Sequence, residues 1–435
     1  MKHVGIVAWG AMIICLCACS VKAACTYDAQ KNAISVVDYP ESVPCTLNGL
    51  LTADKMNGWG KLSYDQAADT YTVACDLIVG ANNGTHTYLQ VGSKEHPNEV
   101  LVLRGSLVIP PYWVKDVNTQ PQHMAPKCVN RVTLGLASDP SIKASLKFDC
   151  RKSGEFGLSV GKDLCLGGQL HVFNSTITST AQKPGLGWAG PPPLPHPFMG
   201  GESFVFDHAT IAWCEGAFGY HMNARAAQVK DTTFEYGESA NYGGNHLWRG
   251  CTFRHMKEAI FDSGGLDMTL INGVFEDNVR NWALPYTDKG LTLIDCTIKP
   301  PTAGNRMACW KNEGKTRYPN VWIKHHVVVE AADAAGKPVP GAQVEVACEQ
   351  KAENTVGNAK APTGADGKTP GKEDEAKAIL LTESQEKATD VENKTAVTEY
   401  TYEIKASAPE VGTVSVKGFK PTENWQTVKV VLAKQ

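Results

Sequence analysis

Glu235, Arg254 and Glu276 stand 19 and 22 residues apart, each one place after an Ile or Phe in a recurring phrase. If those phrases stack, an arginine comes to lie between two carboxylates. Such a trio can clamp an acidic sugar or share general acid and base work. His255, an imidazole suited to acid and base work, follows Arg254, and Asp262 adds a further carboxylate. Trp213 and Tyr236 offer flat apolar rings suited to sugar faces. Tyr242 and Lys289, together with Tyr220 and His221, are suited to β-elimination, in which a base takes a proton beside a carboxylate and an acid meets the leaving oxygen. The candidate catalytic set is therefore Glu235, Arg254, His255, Asp262 and Glu276. The candidate substrate-binding set is Trp213, Tyr236, Tyr242 and Lys289. Each set also has a plain structural reading. The charges would make a surface ion-pair ladder, worth little singly, and strand parity would turn Trp213, Tyr236 and His255 inward as core. No cofactor motif is present, and Ca2+ is the one ion the acidic residues leave open.

The phrase that places these residues recurs six times between Gly168 and Pro301. With Asn174, His208, Asp231, Gly250, Asn272 and Asp295 as position zero, positions −4 and −2 are almost always apolar. Position +1 is small or Cys, and position +3 is always Ile or Phe: Ile177, Ile211, Phe234, Phe253, Phe275 and Ile298. A period near 20 residues, with two short strands and a bend at Asn, Asp or Gly, predicts one coil of a right-handed parallel β-helix. Such a coil cannot bury its apolar face alone, so equivalent positions stack and share a core. Asn, Asp and Gly suit the bend because they tolerate a left-handed backbone. Alternating strand-like segments from Thr72 onward extend the expected solenoid to residues 72–301, with 24–71 as an N-terminal segment suited to capping it. The Pro-rich stretch from Pro184 to Pro197 interrupts the period and reads either as a loop walling a groove or as a surface flap packed on the coils.

This repeat resembles the pectate-lyase-like parallel β-helix superfold, which houses polysaccharide lyases, glycoside hydrolases and non-catalytic tailspike or adhesin proteins. The resemblance implies a glycan partner without choosing among those activities. The Asn-x-Asp, Asp-Asp, Gly-His-Gly and Arg-x-Lys motifs of the polygalacturonase-type hydrolases are missing, and only a fragment of the stacked acidic pattern of the calcium-dependent lyases is visible.

Composition shifts after Pro300. Clean alternation in Thr398–Lys405 and Gln426–Leu432 predicts a second, antiparallel β-sandwich over residues 322–435, Ig-like or transthyretin-like. Its Gly336-Lys-Pro-Val-Pro-Gly-Ala-Gln-Val344 phrase resembles the collagen-adhesin B-type and carboxypeptidase-regulatory-like sandwiches. That likeness implies a stalk or accessory module away from the chemistry. The Lys- and Glu-rich stretch 371–395 reads as a solvated excursion.

Residues 1–23 have the charged start and apolar run of a signal peptide, with small residues before Ala24. Leu16-Cys-Ala-Cys19 also resembles a bacterial lipobox, which would anchor the chain through a lipid on Cys19. Export to an oxidising compartment predicts disulfides. Cys25 with Cys45, and a pair among Cys75, Cys128, Cys150 and Cys165, are the favoured bridges. A net charge of −3 argues against a general nucleic-acid binder. The expectation is an exported, mainly β protein that binds extracellular or cell-envelope polysaccharide. The alternative is a polysaccharide lyase or glycoside hydrolase acting on a uronic-acid-containing glycan in the β-helix groove.

Overall fold

A computed structural model describes residues 24–81, 85–110, 129–151, 156–160, 168–180, 204–213, 228–241, 245–261, 267–285, 290–312, 315–391 and 393–433. The chain is mainly β. Over its first three quarters it builds long sheets of parallel strands, an arrangement compatible with a β-helix-like solenoid. Among the described residues the longest sheet has fourteen strands. Its parallel run passes through Thr87–Val91, Asn130–Leu134, Gly168–Phe173, Phe204–Asp207, Gln228–Lys230, Asn245–Arg249, Asp267–Ile271 and Gly290–Ile294. A ten-stranded second sheet carries the following strand of each pass, from Leu62–Asp65 to Thr297–Ile298. The third face is a five-stranded sheet in the N-terminal half and the strands Glu258–Phe261, Arg280–Leu284 and Arg306–Met307 in the C-terminal half.

Stacking follows the repeat column by column. Leu170 pairs with Phe204, Val229 with Trp248, and Thr233 with Thr252 and Phe234 with Phe253 on the next strand. Val172, Phe206, Trp248, Leu270 and Leu293 at position −2 are buried, as are Ile177, Ile211, Phe234, Phe253 and Phe275 at +3. Phe253 sits between Phe234 and Phe275, with ring centroids 5.6 and 5.0 Å away. These separations are close to the strand spacing of about 4.8 Å, so one ring fills each layer. Position zero is left-handed in every copy, from φ 47° at Asp231 to φ 65° at Gly250. Its amide donates to the position −1 carbonyl of the next coil, as from Asp231 to Arg249 at 2.8 Å. Position +1 is buried and often bonds back across the bend, as from the Ser175 hydroxyl to the Phe173 carbonyl at 2.6 Å and from Thr232 to Lys230 at 2.9 Å. The lack of room restricts the position to small residues, and the return bond favours Ser, Thr and Cys among them.

Parallel pairing begins before Thr72. Ala33–Val37 already pairs with Asp76–Val79, and Cys45–Thr46 with Thr87–Val91. Helix Leu47–Asn57 follows. Its N-cap is the Thr46 side chain, which accepts from the Gly49 amide, and left-handed Gly58 ends it. Leu47, Leu50 and Leu51 join the first core, whose terminal layer would otherwise face water.

At the other end, the 13-residue strand Asn320–Ala332 continues the long sheet by pairing in parallel with Gly290–Ile294. From Val327 onward it pairs with Gln426–Val431, and Ile379–Ala388 runs antiparallel along its other edge. A four-stranded antiparallel sheet, ordered Lys360–Pro362, Gln343–Cys348, Tyr402–Ala408 and Gly412–Phe419, shares with it a second core around Val329, Val344, Leu381, Tyr402 and Ile404. Residues 371–395 are not a free excursion. Ile379–Ala388 is a strand laddered on both sides, to Asn320–Ala332 and to Val356–Gly357 and Thr395–Glu399, and Glu375 in the 3-10 helix Lys372–Lys377 reaches Arg249 at 3.1 Å.

The expected Cys25–Cys45 disulfide is corrected: the two residues lie 4.2 Å apart without a bond. Cys25 instead meets the Tyr39 hydroxyl at 3.3 Å. Cys75 and Cys150 are both buried, and burial pushes the Cys75 thiol up to about 11. Cys128, Cys165 and the signal segment 1–23 lie outside the described residues.

Candidate functional site

The second sheet sets Glu235, Arg254 and Glu276 in one register, because Thr233–Glu235, Thr252–Arg254 and Val274–Glu276 pair in parallel without a shift. Phe234, Phe253 and Phe275 point into the core, so their successors point out. Arg254 Nε donates to Glu235 Oε2 at 2.5 Å. Glu276 accepts instead from Lys299, one coil further on. The Lys299 ammonium holds the Glu276 carboxyl below the usual carboxylate range, with Arg254 adding to the effect, and Glu276 in turn raises Lys299. The result is an alternating row of Glu235, Arg254, Glu276 and Lys299. Its two carboxylates are two coils apart, roughly 9–10 Å at strand spacing, with the guanidinium between them. A glycosidase-type acid needs a carboxyl raised in pKa and a partner across a gap that holds water or sugar. Glu276 is shifted the other way.

One residue further on, the parity reading fails for a physical reason. Trp213, Tyr236, His255 and Asp277 are all left-handed, with φ between 51° and 60°. The chain bends there a second time, and each of the three rings leaves the core and turns along the edge. Their amides lock the bend, since Trp213 donates to the Glu235 carbonyl, Tyr236 to Arg254 and His255 to Glu276. Trp213 stacks on Tyr236 at 4.6 Å and 11°, and Tyr236 on His255 at 4.8 Å and 15°. Tyr236 is 38% exposed. The ring faces cover one another, so solvent meets mainly their edges, directly beside the charged row.

Past this bend the third face repeats the alternation. Lys257 donates to Glu238 at 2.9 Å and Arg280 reaches Glu258 at 3.5 Å. Beneath it lies an asparagine ladder that sequence reasoning missed. Buried Asn278 accepts from the Met256 amide and donates to the Phe253 carbonyl and to Asn281, while Asn281 donates to the Lys299 carbonyl. Among the charged residues Glu276, Asp277 and Arg280, nothing in the sequence singles out Asn278 or Asn281. These bonds satisfy backbone groups that the double bend would strand.

Also missed was a titratable group at the N-terminal coils. His96 Nδ1 lies 2.8 Å from Asp69, which also accepts from Tyr64 at 3.1 Å. Nearby Glu99 is buried, which raises its pKa, and it accepts from the Gly92 amide at 2.7 Å. These bonds close a loop against the coils.

Among the described residues one group of His and Asp side chains has metal-ligand spacing: Asp207, His208 and Asp231. Of the expected site residues, Glu235, Arg254, His255, Glu276, Trp213 and Tyr236 come together along one edge. Asp262, Tyr242 and Lys289 lie outside the described residues, as do Tyr220, His221 and the Pro184–Pro197 stretch. No helix among the described residues is long and apolar enough to cross a membrane. Comparison with protein-family models, curated proteins and solved structures finds no match for this chain.

Proposed function

We propose that this chain is an exported right-handed parallel β-helix carrying a C-terminal β-sandwich, and that it binds polysaccharide along the edge from Trp213 to Lys299 without cleaving it. One observation carries this reading: on three successive coils the edge presents a charged side chain beside an outward bend residue, in the order Glu235/Tyr236, Arg254/His255 and Glu276/Asp277. A pyranose in an extended glycan advances by close to one coil spacing of about 4.8 Å. Successive sugars then meet carboxylates and cationic groups in turn, so every second sugar meets an equivalent group. The guanidinium suits a uronate or paired hydroxyls, and the carboxylates suit paired hydroxyls. The rings contribute apolar edges, since their faces are already stacked. The binding reading is favoured over a lyase or hydrolase because Arg254 and Lys299 already engage the two carboxylates.

The test is a panel of uronic-acid-containing and neutral polysaccharides, examined by affinity electrophoresis and for unsaturated products and new reducing ends. Retarded migration on at least one glycan with no product is expected. Product release would transfer the edge to the lyase or hydrolase class, and no interaction with any glycan would end the proposal.

A further inference from the structure

A second corner of the coils, where the long sheet turns into the second sheet, brings together Asp207, His208 and Asp231. Asp207 ends the strand Phe204–Asp207, and its register partner on the next coil is Lys230, the residue before Asp231. His208 and Asp231 both occupy the left-handed bend, at φ 54° and 47°. Their amides donate to the Lys230 and Arg249 carbonyls, so the two side chains are carried on equivalent points of successive coils.

His208 Nδ1 lies 2.6 Å from Asp207 Oδ1. A carboxylate at that nitrogen holds the proton there and leaves Nε2 as a lone-pair donor, the arrangement that orients metal-binding imidazoles. Nε2 faces Asp231 Oδ2 at 3.7 Å. One ligand atom from each of the three residues lies within 4.8 Å of the others. Space for the Asp231 carboxylate depends on Gly250, one coil on, where a Cβ would fall 2.0 Å from Asp231 Oδ1. The present counter-ion is Lys230, whose ammonium is 3.5 Å from Asp231 and 4.0 Å from Asp207.

We propose that His208 and Asp231, with Asp207 as orienting group or third ligand, form a binding site for one divalent transition-metal ion of the Zn2+ class. One imidazole and two carboxylates match such an ion, whereas Ca2+ requires six to eight oxygens that this corner does not supply. The side chains are half-buried or exposed, so water completes the coordination. Binding displaces the Lys230 ammonium, which competes for the same carboxylates.

That competition separates a metal site from a plain ion-pair network. Zn2+ titrated calorimetrically into the full chain should fill one equivalent that is lost in His208→Ala and in Asp231→Asn. Free cysteines can also take zinc, so the reading is the difference of one equivalent between the parent and these variants. Lys230→Gln should tighten that equivalent several-fold, and Ca2+ should not compete for it. The proposal is overturned if the parent and His208→Ala take up equal zinc, or if Lys230→Gln leaves the affinity unchanged or weaker.

Discussion

His326 Nδ1 stands 2.6 Å from Asp295 Oδ2, while the His326 amide donates to Asp295 Oδ1 at 2.9 Å. Both side chains are almost fully buried. Asp295 is the last bend residue of the repeat, and His326 belongs to the strand that leaves the coils for the second core. Asn424 donates to the Asp295 carbonyl at 2.8 Å, and Trp425 stacks on His326 at 4.5 Å. Removing one member of a buried, fully bonded pair strands the other. Asp295→Ala should therefore cost about 3 kcal/mol, read as a lowered urea midpoint. A loss below about 1 kcal/mol would mean that the junction is held elsewhere.

Phe253 tests the stacked core. It is fully buried between Phe234 and Phe275, so truncation leaves a gap that neighbouring coils cannot close without breaking their ladders. Phe253→Ala should destabilise by about 3–5 kcal/mol. Leucine, which refills most of the volume, should recover much of that loss in the same unfolding measurement.

Gly290 tests the backbone approach between the last coil and the shared strand. Its φ is +141°, and a Cβ would lie 1.9 Å from the Asn320 carbonyl oxygen. That neighbour is main chain in a ladder and cannot swing aside. Gly290→Ala should lower the melting temperature by an amount equivalent to about 2 kcal/mol or more. Gly304→Ala is the control, since φ there is also positive but nothing lies near the added methyl.

His171 predicts an acid-sensitive component of stability. Burial, reinforced by Arg131, lowers its pKa to about 4. The unfolded chain therefore binds a proton more readily than the folded one between roughly pH 6.5 and 4. This contribution is complete above pH 6.5 and is lost as the pH falls through that window, by at most about 3 kcal/mol and less in proportion to the residual exposure of His171. Urea midpoints at neutral pH and near pH 4.5 should differ less in His171→Gln than in the parent. Equal acid losses in both proteins would refute the assignment.

The proposed glycan edge makes a different demand. Tyr236→Ala and Arg254→Ala should each weaken glycan retardation about tenfold, equivalent to about 1.4 kcal/mol. Their cost to stability should stay near 1 kcal/mol or below, because both side chains are exposed and Arg254–Glu235 is a surface pair. Large unfolding shifts with unchanged affinity would make the edge purely structural.

The parts of this fold that could be read from the chain are those where one column has one physical job. Phe234, Phe253 and Phe275 recur as apolar residues because each must fill a layer, and Asn174, Asp231 and Asn272 recur because each must turn left-handed. The second bend was hidden, since Trp213, Tyr236 and His255 are not typical bend residues and strand parity assigns them to the core. Their conformation is set by ladder bonds to the next coil, which no local pattern reveals. Arg254 was found as a charge between two carboxylates, but which carboxylate it takes depended on Lys299 claiming Glu276. The Asp295–His326 contact joins residues 31 positions apart through two buried hydrogen bonds that no local pattern announces. The disulfide expectation followed from compartment and cysteine count, and neither carries the side-chain geometry that brings Cys25 to Tyr39.

The strand Asn320–Ala332 has a directional consequence. Because one uninterrupted backbone is laddered to Gly290–Ile294 at its start and to Gln426–Val431 at its end, no swivel separates the coils from the C-terminal sheets. Whatever grips those sheets also sets the bearing of the Glu235–Lys299 edge around the coil axis. Tethered copies on a common surface would all present that edge toward the same quarter, like slats set at one angle.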